Sequence, residues 1–283
     1  MIQSLFIILT QGFCMDKHWN EECAVVGAFN CDEAAFMAYY ALFAMQHRGQ
    51  EASGIAISNG KNITTQKGQG LVTKVFSKSI LEKLKGMNAV GHNRYATAGA
   101  DSNGDCQPIF ARYGLGEIAL VHNGNLTNAK NIRQSLTQQG AIFQSNLDTE
   151  VIIHLIARST KKHLTPRIME SLHEIEGAFS LVILSRSKMF AVRDRFGLRP
   201  LSLGEITNKD GSKGYIVASE TCAFDLVGAS FVRDIEPGEL VVFEKNRNNE
   251  TKIISIKVFE EILKPCVFEY IYFARPDSVV FRA

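Results

Sequence analysis

The sequence predicts an α+β layered sandwich. Its elements read as strands, then helices, then strands again, without the steady alternation that builds a doubly wound parallel sheet. Several of the strands are apolar on both faces, so the sheets they form must be covered on both sides. The composition is that of a globular chain: 283 residues, 46% apolar and 21% charged. Disordered, collagen-like and coiled-coil readings are excluded, and the length suits one large domain or two small ones.

Residues 24–29 (AVVGAF) form a short apolar run that reads as a buried strand. Residues 33–47 carry Phe36, Tyr39, Tyr40 and Phe43 at helical spacing. Residues 52–58 return to a strand pattern, and Asn59-Gly60 is a turn pair that supports a hairpin. A short helix around residues 81–85 stops at Gly86, and residues 90–92 and 118–121 read as strands running into polar tips. A helical block follows. Residues 126–139 end at Gly140, a suitable left-handed cap, and residues 149–160 come next. Thr165-Pro166, an N-cap with proline at the first helical position, starts a helix to residue 175. Strands return at residues 179–184, 189–192, 215–218, 240–243 and 253–258.

Charge and cysteine usage narrow the function classes. With 31 basic against 29 acidic residues and no basic stripe, no nucleic-acid partner is expected. No apolar run reaches the roughly 18 residues of a membrane helix, so no membrane partner is expected. The six cysteines (Cys14, Cys23, Cys31, Cys106, Cys222, Cys266) show no CxxC pair, which suits reduced thiols and a cytoplasmic location. The apolar run at residues 5–9 has no Lys or Arg before it and no small-x-small cleavage site after it, unlike a signal peptide. Residues 1–22 are expected to be a propeptide or upstream extension, with Met15 as a second candidate start.

No P-loop, GxGxxG, HExxH, GxSxG or zinc-spaced Cys/His set is present. Instead, polar clusters stand where strands end: QHRGQE (46–51), HNRYAT (92–97), HNGN (122–125) and DTE (148–150). Loops on a rigid scaffold are where sites are built. An Arg presents a fork of donors suited to a carboxylate, an Asp suits an ammonium group, and Asn-Gly can offer a side-chain amide beside an unobstructed backbone N–H, as an oxyanion site needs. Together they suit a free amino acid with a reacting carbonyl. Taken singly, Asn123-Gly124 is also a turn, Arg94 an ion-pair partner and Asp148 a helix N-cap. The missing part is a nucleophile, for which Cys23 is the candidate, although taken singly it is also a buried strand-edge thiol. If the Glu22–Cys23 bond is cut, its thiol lies beside a free α-amine, whose pKa near 7.7–8.0 lets it act as general base.

Cys23-Ala24-Val25-Val26-Gly27, QHRGQE (46–51), GHNRYATAG (91–99), HNGNL (122–126), DTE (148–150), GLRPL (197–201), SETCAFD (219–225) and EPGE (236–239) stand in the order seen in glutamine phosphoribosylpyrophosphate amidotransferases, the amidophosphoribosyltransferases, which this chain resembles from Cys23 to Ser278. The resemblance implies a four-layer αββα sandwich of the N-terminal-nucleophile hydrolase type. It implies that Cys23 attacks the side-chain amide of glutamine and that Asn123 and Gly124 form the oxyanion hole. It also implies that Arg94 with Thr97 holds the α-carboxylate, that Asp148 holds the α-ammonium and that Arg48 lies on the loop lining the glutamine pocket. Ammonia would then convert phosphoribosylpyrophosphate to phosphoribosylamine in a synthase domain, as part of purine biosynthesis.

Two departures qualify the resemblance. Ala24 stands where the family usually has Gly. The synthase domain is not in the sequence: residues 23–262 correspond to the glutaminase domain and residues 263–283 to the threshold of a truncated phosphoribosyltransferase domain. Phosphoribosylpyrophosphate is therefore a partner only through the missing domain, and a full-length member is expected to be a homo-oligomer. No cofactor is expected in this chain; Mg²⁺, and in some members a 4Fe–4S cluster to which Cys266 would be one ligand, belong to full-length relatives. A free-standing glutaminase subunit and a catalytically silent binding domain of the same fold are the alternative readings.

Overall fold

The computed structural model describes residues 23–95 and 105–279. The chain enters through β1 (Ala24–Phe29), turns at Asn30 and runs back over the sheet as α1 (Ala34–Ala44), which a 3₁₀ turn at Gln46–Arg48 ends. The hairpin predicted at Asn59-Gly60 joins β2 (Ala52–Ser58) to β3 (Ile63–Gln69). Two short helices, α2 (Val72–Val75) and α3 (Lys78–Lys83), lead to β4 (Asn88–Arg94). After residue 105 come β5 (Ile109–Tyr113), β6 (Gly116–Leu126), and three helices: α4 (Ala129–Gln138), α5 (Thr149–Arg158) and α6 (Leu164–Leu172). Then follow β7 (Gly177–Ser185), β8 (Met189–Arg193), β9 (Ser202–Thr207), β10 (Lys213–Ala218), α7 (Cys222–Val227), β11 (Ser230–Asp234), β12 (Glu239–Lys245), β13 (Thr251–Lys257) and a π-helical turn at Glu269–Phe273.

The strands form two antiparallel sheets, a seven-stranded one in the order β11-β9-β10-β1-β4-β2-β3 and a six-stranded one in the order β13-β12-β8-β7-β6-β5. Strand alternation sorts their side chains into three apolar layers. On β1, Ala24, Val26 and Ala28 pack beneath α1 and α7, with Leu42 and Phe224. Val25 and Phe29 face the other way, toward Val121, Val182, Met189 and Phe243 of the second sheet. The far face of that sheet puts Leu120, Leu181 and Phe190 under Ile152, Ile156 and Leu172 of α5 and α6. The result is the four-layer αββα sandwich that the resemblance implies. Gly27 permits the close approach of the sheets at the middle of β1, because a Cβ there would lie 2.7 Å from Met189 Sδ and 2.8 Å from Val182 Cγ1.

Some boundaries differ from the sequence expectation. β6 continues through His122-Asn123-Gly124-Asn125 to Leu126, so the polar tip is strand and α4 starts only at Ala129. Helix α6 begins at Leu164 behind His163, one residue before Thr165. Pro166 is tolerated in that first turn because its missing N–H would have had no intrahelical partner. Strands β3, β5, β9 and β11 and helix α7 carry no strong pattern in the sequence. In β3, for example, only Ile63 is buried, and an edge strand needs no second apolar face.

Candidate active site

Three strand ends converge at one edge of the sandwich. Cys23 stands immediately before β1, the central strand of its sheet, where Ala24 pairs with Asn93 and Val25 with His92 on β4. His92 reaches across to the second sheet, its Nε2–H donating to the His122 carbonyl at 3.0 Å. That bond ties the strand beside Cys23 to β6, whose next residues are Asn123 and Gly124.

Cys23 as a residue is half-buried. Burial pushes its pKa up, while a hydrogen bond with the Tyr95 backbone and the charges of Arg48, Arg94 and Arg199 pull the other way. The Cys23 carbonyl accepts a hydrogen bond of 3.0 Å from Arg48 Nε. Arg48 is fully buried. Its Nη1 contacts Glu220 Oε1 at 2.8 Å and Glu269 Oε2 at 2.9 Å, and its Nη2 contacts Glu269 Oε1 at 3.0 Å. The resemblance puts Arg48 on the loop lining the glutamine pocket. Its contacts here hold the Cys23 carbonyl and balance its charge against two carboxylates. Arg199 Nη1 adds a third cation–carboxylate contact to Glu269 at 3.1 Å, and His47 Nε2 lies 2.9 Å from Glu220 Oε1. Burial works against the Glu220 carboxylate, yet His47 and Arg48 hold its pKa at about 2.

Asn123 is 1% exposed, and neither its amide nitrogen nor its amide oxygen has a hydrogen-bond partner. An unpaired buried amide costs about 1–3 kcal/mol, and such a group marks a place where a ligand can complete the bonding. Gly124 follows with φ +144°, and a Cβ on it would sit 2.1 Å from the Ala178 carbonyl oxygen, so only glycine fits. On β6 the N–H groups of alternate residues face the same edge. The His122 N–H donates to Gln107 Oε1 at 2.7 Å and the Leu126 N–H to Asp148 Oδ2 at 2.8 Å. Alternation turns the Gly124 N–H toward that same edge, between them.

Asp148 precedes α5 at its N-cap position without capping it. Besides Leu126 N–H, its carboxylate accepts from Thr149 Oγ1 at 3.1 Å and lies 3.6 Å from His122 Nδ1. Burial raises its pKa, but His122, the Leu126 N–H and the Thr149 hydroxyl outweigh that and bring it to about 2, so the group is anionic. Arg94, at the end of β4, is 8% exposed and spends one nitrogen on the Asp105 carbonyl at 3.0 Å. Thr97 lies outside the described residues. Cys266 is a half-exposed free thiol in the segment after β13, and among the described residues no group of three or more His, Cys, Asp or Glu could hold a metal ion. Those residues do not fit a cluster.

The arrangement therefore offers a thiol, an unpaired amide beside a glycine N–H, a cation and an anion. Sequence reasoning missed Glu220 and Glu269, which contact Arg48, and Gln107, which contacts His122 and Thr149, all behind this set. Glu220 stands inside the SETCAFD segment, but nothing local links it to Arg48.

Comparison with known proteins agrees with the geometry. Residues 92–225 match a glutamine amidotransferase domain. The amidophosphoribosyltransferase of Bacillus subtilis is 45% identical over 263 residues, which is 93% of this chain and 53% of that protein. The chloroplastic amidophosphoribosyltransferase 1 of Arabidopsis thaliana is 43% identical over 94% of this chain and 46% of its own length. A solved structure described as the allosteric regulatory enzyme of purine biosynthesis superposes with a TM-score of 0.85 at 44% identity, covering 92% of this chain and 54% of that one. The B. subtilis glutamine phosphoribosylpyrophosphate amidotransferase, complexed with ADP and GMP, gives 0.83 at 43% identity, over 92% and 55%. The chain thus spans about half the length of the relatives it matches.

Proposed function

We infer from its match to a glutamine amidotransferase domain and its similarity to amidophosphoribosyltransferases that this chain hydrolyses glutamine to glutamate and ammonia with Cys23 as nucleophile. The observation that carries the reading is the buried, unpartnered Asn123 amide beside Gly124 on the strand that His92 ties to the nucleophile's sheet.

The chemistry follows from the groups present. With Cys23 at the chain's start, its α-amine takes the thiol proton as sulfur attacks the carboxamide carbon. The carbonyl oxygen gains negative charge, which Asn123 Nδ2 and the Gly124 N–H stabilise. The ammonium form of the amine returns its proton to the leaving nitrogen, ammonia departs and a thioester remains. Water attacks the thioester with the amine again as base, releasing glutamate and the thiol. Arg94 binds the α-carboxylate and Asp148 the α-ammonium; these contacts are equal in ground and transition states and act on affinity. Arg48 holds the Cys23 carbonyl while its own charge is balanced by Glu220 and Glu269.

In a protein with the length of its relatives, the ammonia would displace pyrophosphate from phosphoribosylpyrophosphate and give phosphoribosylamine for purine biosynthesis. That its relatives are amidophosphoribosyltransferases supports this step, and the reduced-thiol cysteine usage supports a cytoplasmic location. Among the described residues no helix is long and apolar enough to cross a membrane.

N-terminal sequencing of active protein, with an assay of glutamate release, tests the reading. Active protein should begin Cys-Ala-Val-Val, and Cys23→Ser should release no glutamate. Turnover by a species that keeps Glu22, or by Cys23→Ser, would overturn it.

A further inference from the structure

β5 pairs with β6 only as far as Ile109 opposite Leu120. Beyond that point the β6 edge that carries the Gly124 N–H has lost its neighbouring strand. A side chain takes over. Gln107 Oε1 accepts the His122 N–H at 2.7 Å, and Gln107 Nε2 donates back to the His122 carbonyl at 3.3 Å and to Thr149 Oγ1 at 3.4 Å. One carboxamide thus makes both contacts that a paired strand residue would make, and it adds a link to the residue next to Asp148.

Gln107 is itself fixed. It is 5% exposed. The backbone on either side of it is clamped by Lys67 of β3, whose Nζ donates to the Cys106 carbonyl at 2.7 Å and to the Pro108 carbonyl at 3.1 Å. The segment lies so close to the first sheet that a Cβ on Gly54 would stand 2.1 Å from the Gln107 carbonyl oxygen. Two residues earlier, Asp105 accepts from Arg94 through its carbonyl and from the Asn146 N–H through its carboxylate at 3.0 Å. Residues 105–108 therefore touch Arg94, the oxyanion strand and the loop leading to Asp148.

We propose that Gln107 is a positioning residue for the oxyanion site: its carboxamide stands in for a strand and fixes the β6 edge on which Asn123 and Gly124 sit. The proposal rests on the reading of Asn123 and Gly124 given above. It assigns Gln107 no contact with the reacting atoms. A misplacement of about 1 Å at a reacting centre can cost about 10²-fold in rate, and loosening one edge contact should cost part of that.

Gln107→Met is the discriminating variant, since it keeps the length and bulk of the side chain and removes all three hydrogen bonds. The test uses the full chain matured to Cys23, with native-state hydrogen exchange beside steady-state glutaminase kinetics. The expected result is a loss of protection at the His122 amide of about tenfold or more, with the β7 amides of residues 181–184 unchanged. kcat should fall about tenfold and KM stay within about threefold. Wild-type protection at His122, or unchanged kcat despite lost protection, would overturn the proposal. If the wild-type chain released no glutamate, the functional reading would fail, and the exchange result alone would decide whether Gln107 holds the β6 edge.

Discussion

Arg48 and Glu269, 221 positions apart in the chain, meet in two parallel hydrogen bonds of 2.9 and 3.0 Å with both side chains fully buried. The π-helical turn that carries Glu269 lies beyond the last strand, yet it closes over the guanidinium that holds the Cys23 carbonyl. The following residues are fastened to the same cluster: the Arg275 N–H and Ser278 Oγ both donate to Glu220 Oε2, at 3.0 and 2.7 Å. The segment after β13 is thus part of the support of Cys23.

Removing one member of such a pair leaves a buried charge without its partner, which typically costs about 3–5 kcal/mol. Glu269→Ala should lower the unfolding free energy by that order, and Arg48→Met should do so as well, because Glu220 and Glu269 would then face each other. The double variant Arg48→Met/Glu269→Ala should lose less than the sum of the two singles. Urea unfolding of the four proteins measures the coupling, and simple additivity would show that the two side chains do not depend on each other.

Asn123 should trade stability against turnover. Its unpaired amide is a liability in the folded chain, so Asn123→Leu should raise the melting temperature or leave it unchanged. Loss of one oxyanion donor typically lowers kcat about 10²–10³-fold, and KM should change little. Thermal melts and glutaminase kinetics on one preparation check both halves. A stability loss with wild-type kcat would make Asn123 an ordinary core residue.

Arg94 and Asp148 should act on affinity. Arg94→Lys replaces a planar fork with a point charge, and losing about 1.4 kcal/mol of a charge-assisted contact is a tenfold rise in KM. Asp148→Asn should raise KM in the same way and also weaken the fold, because the Leu126 N–H loses an anionic acceptor. A fall in kcat at constant KM for either variant would contradict the assignment.

Acid should destabilise the protein in two stages. His92 is pushed down to about 3, first by burial and then by the nearby charges of His122, Arg94 and Lys67, against the pull of its hydrogen bond to the His122 carbonyl. Between pH 6.5 and about 3 the unfolded chain therefore binds a proton that folded His92 does not, and stability falls as pH falls. Glu220 and Asp148, lowered to about 2, add losses below about pH 5, as their unfolded forms protonate first. His92→Gln should flatten the slope between pH 6.5 and 4.5 by up to about 1.4 kcal/mol per pH unit. Urea midpoints at pH 7, 6 and 5 for both proteins would show the difference; parallel curves would rule His92 out as the source.

What the sequence by itself determined is local. Apolar runs gave β1, β2, β7 and β8 because each strand is covered on both faces, and short polar segments marked the strand ends where chemistry collects. The resemblance then named Cys23, Asn123, Gly124, Arg94 and Asp148, each within a segment of a few residues whose text is distinctive on its own. Tertiary structure decided everything that depends on two distant segments meeting. Gln107 stands alone beside a proline in the sequence, and only the early end of β5 gives its carboxamide a strand edge to fill. Glu220 and Glu269 read as ordinary acidic residues, and Arg48 reads as a pocket residue. Their burial as one charge cluster exists because α1, α7 and the segment after β13 pack around the start of β1. Hydrophobic periodicity reports which face of an element is covered. It carries no information about which distant carboxylate will neutralise a buried guanidinium, because that is settled by how the layers stack.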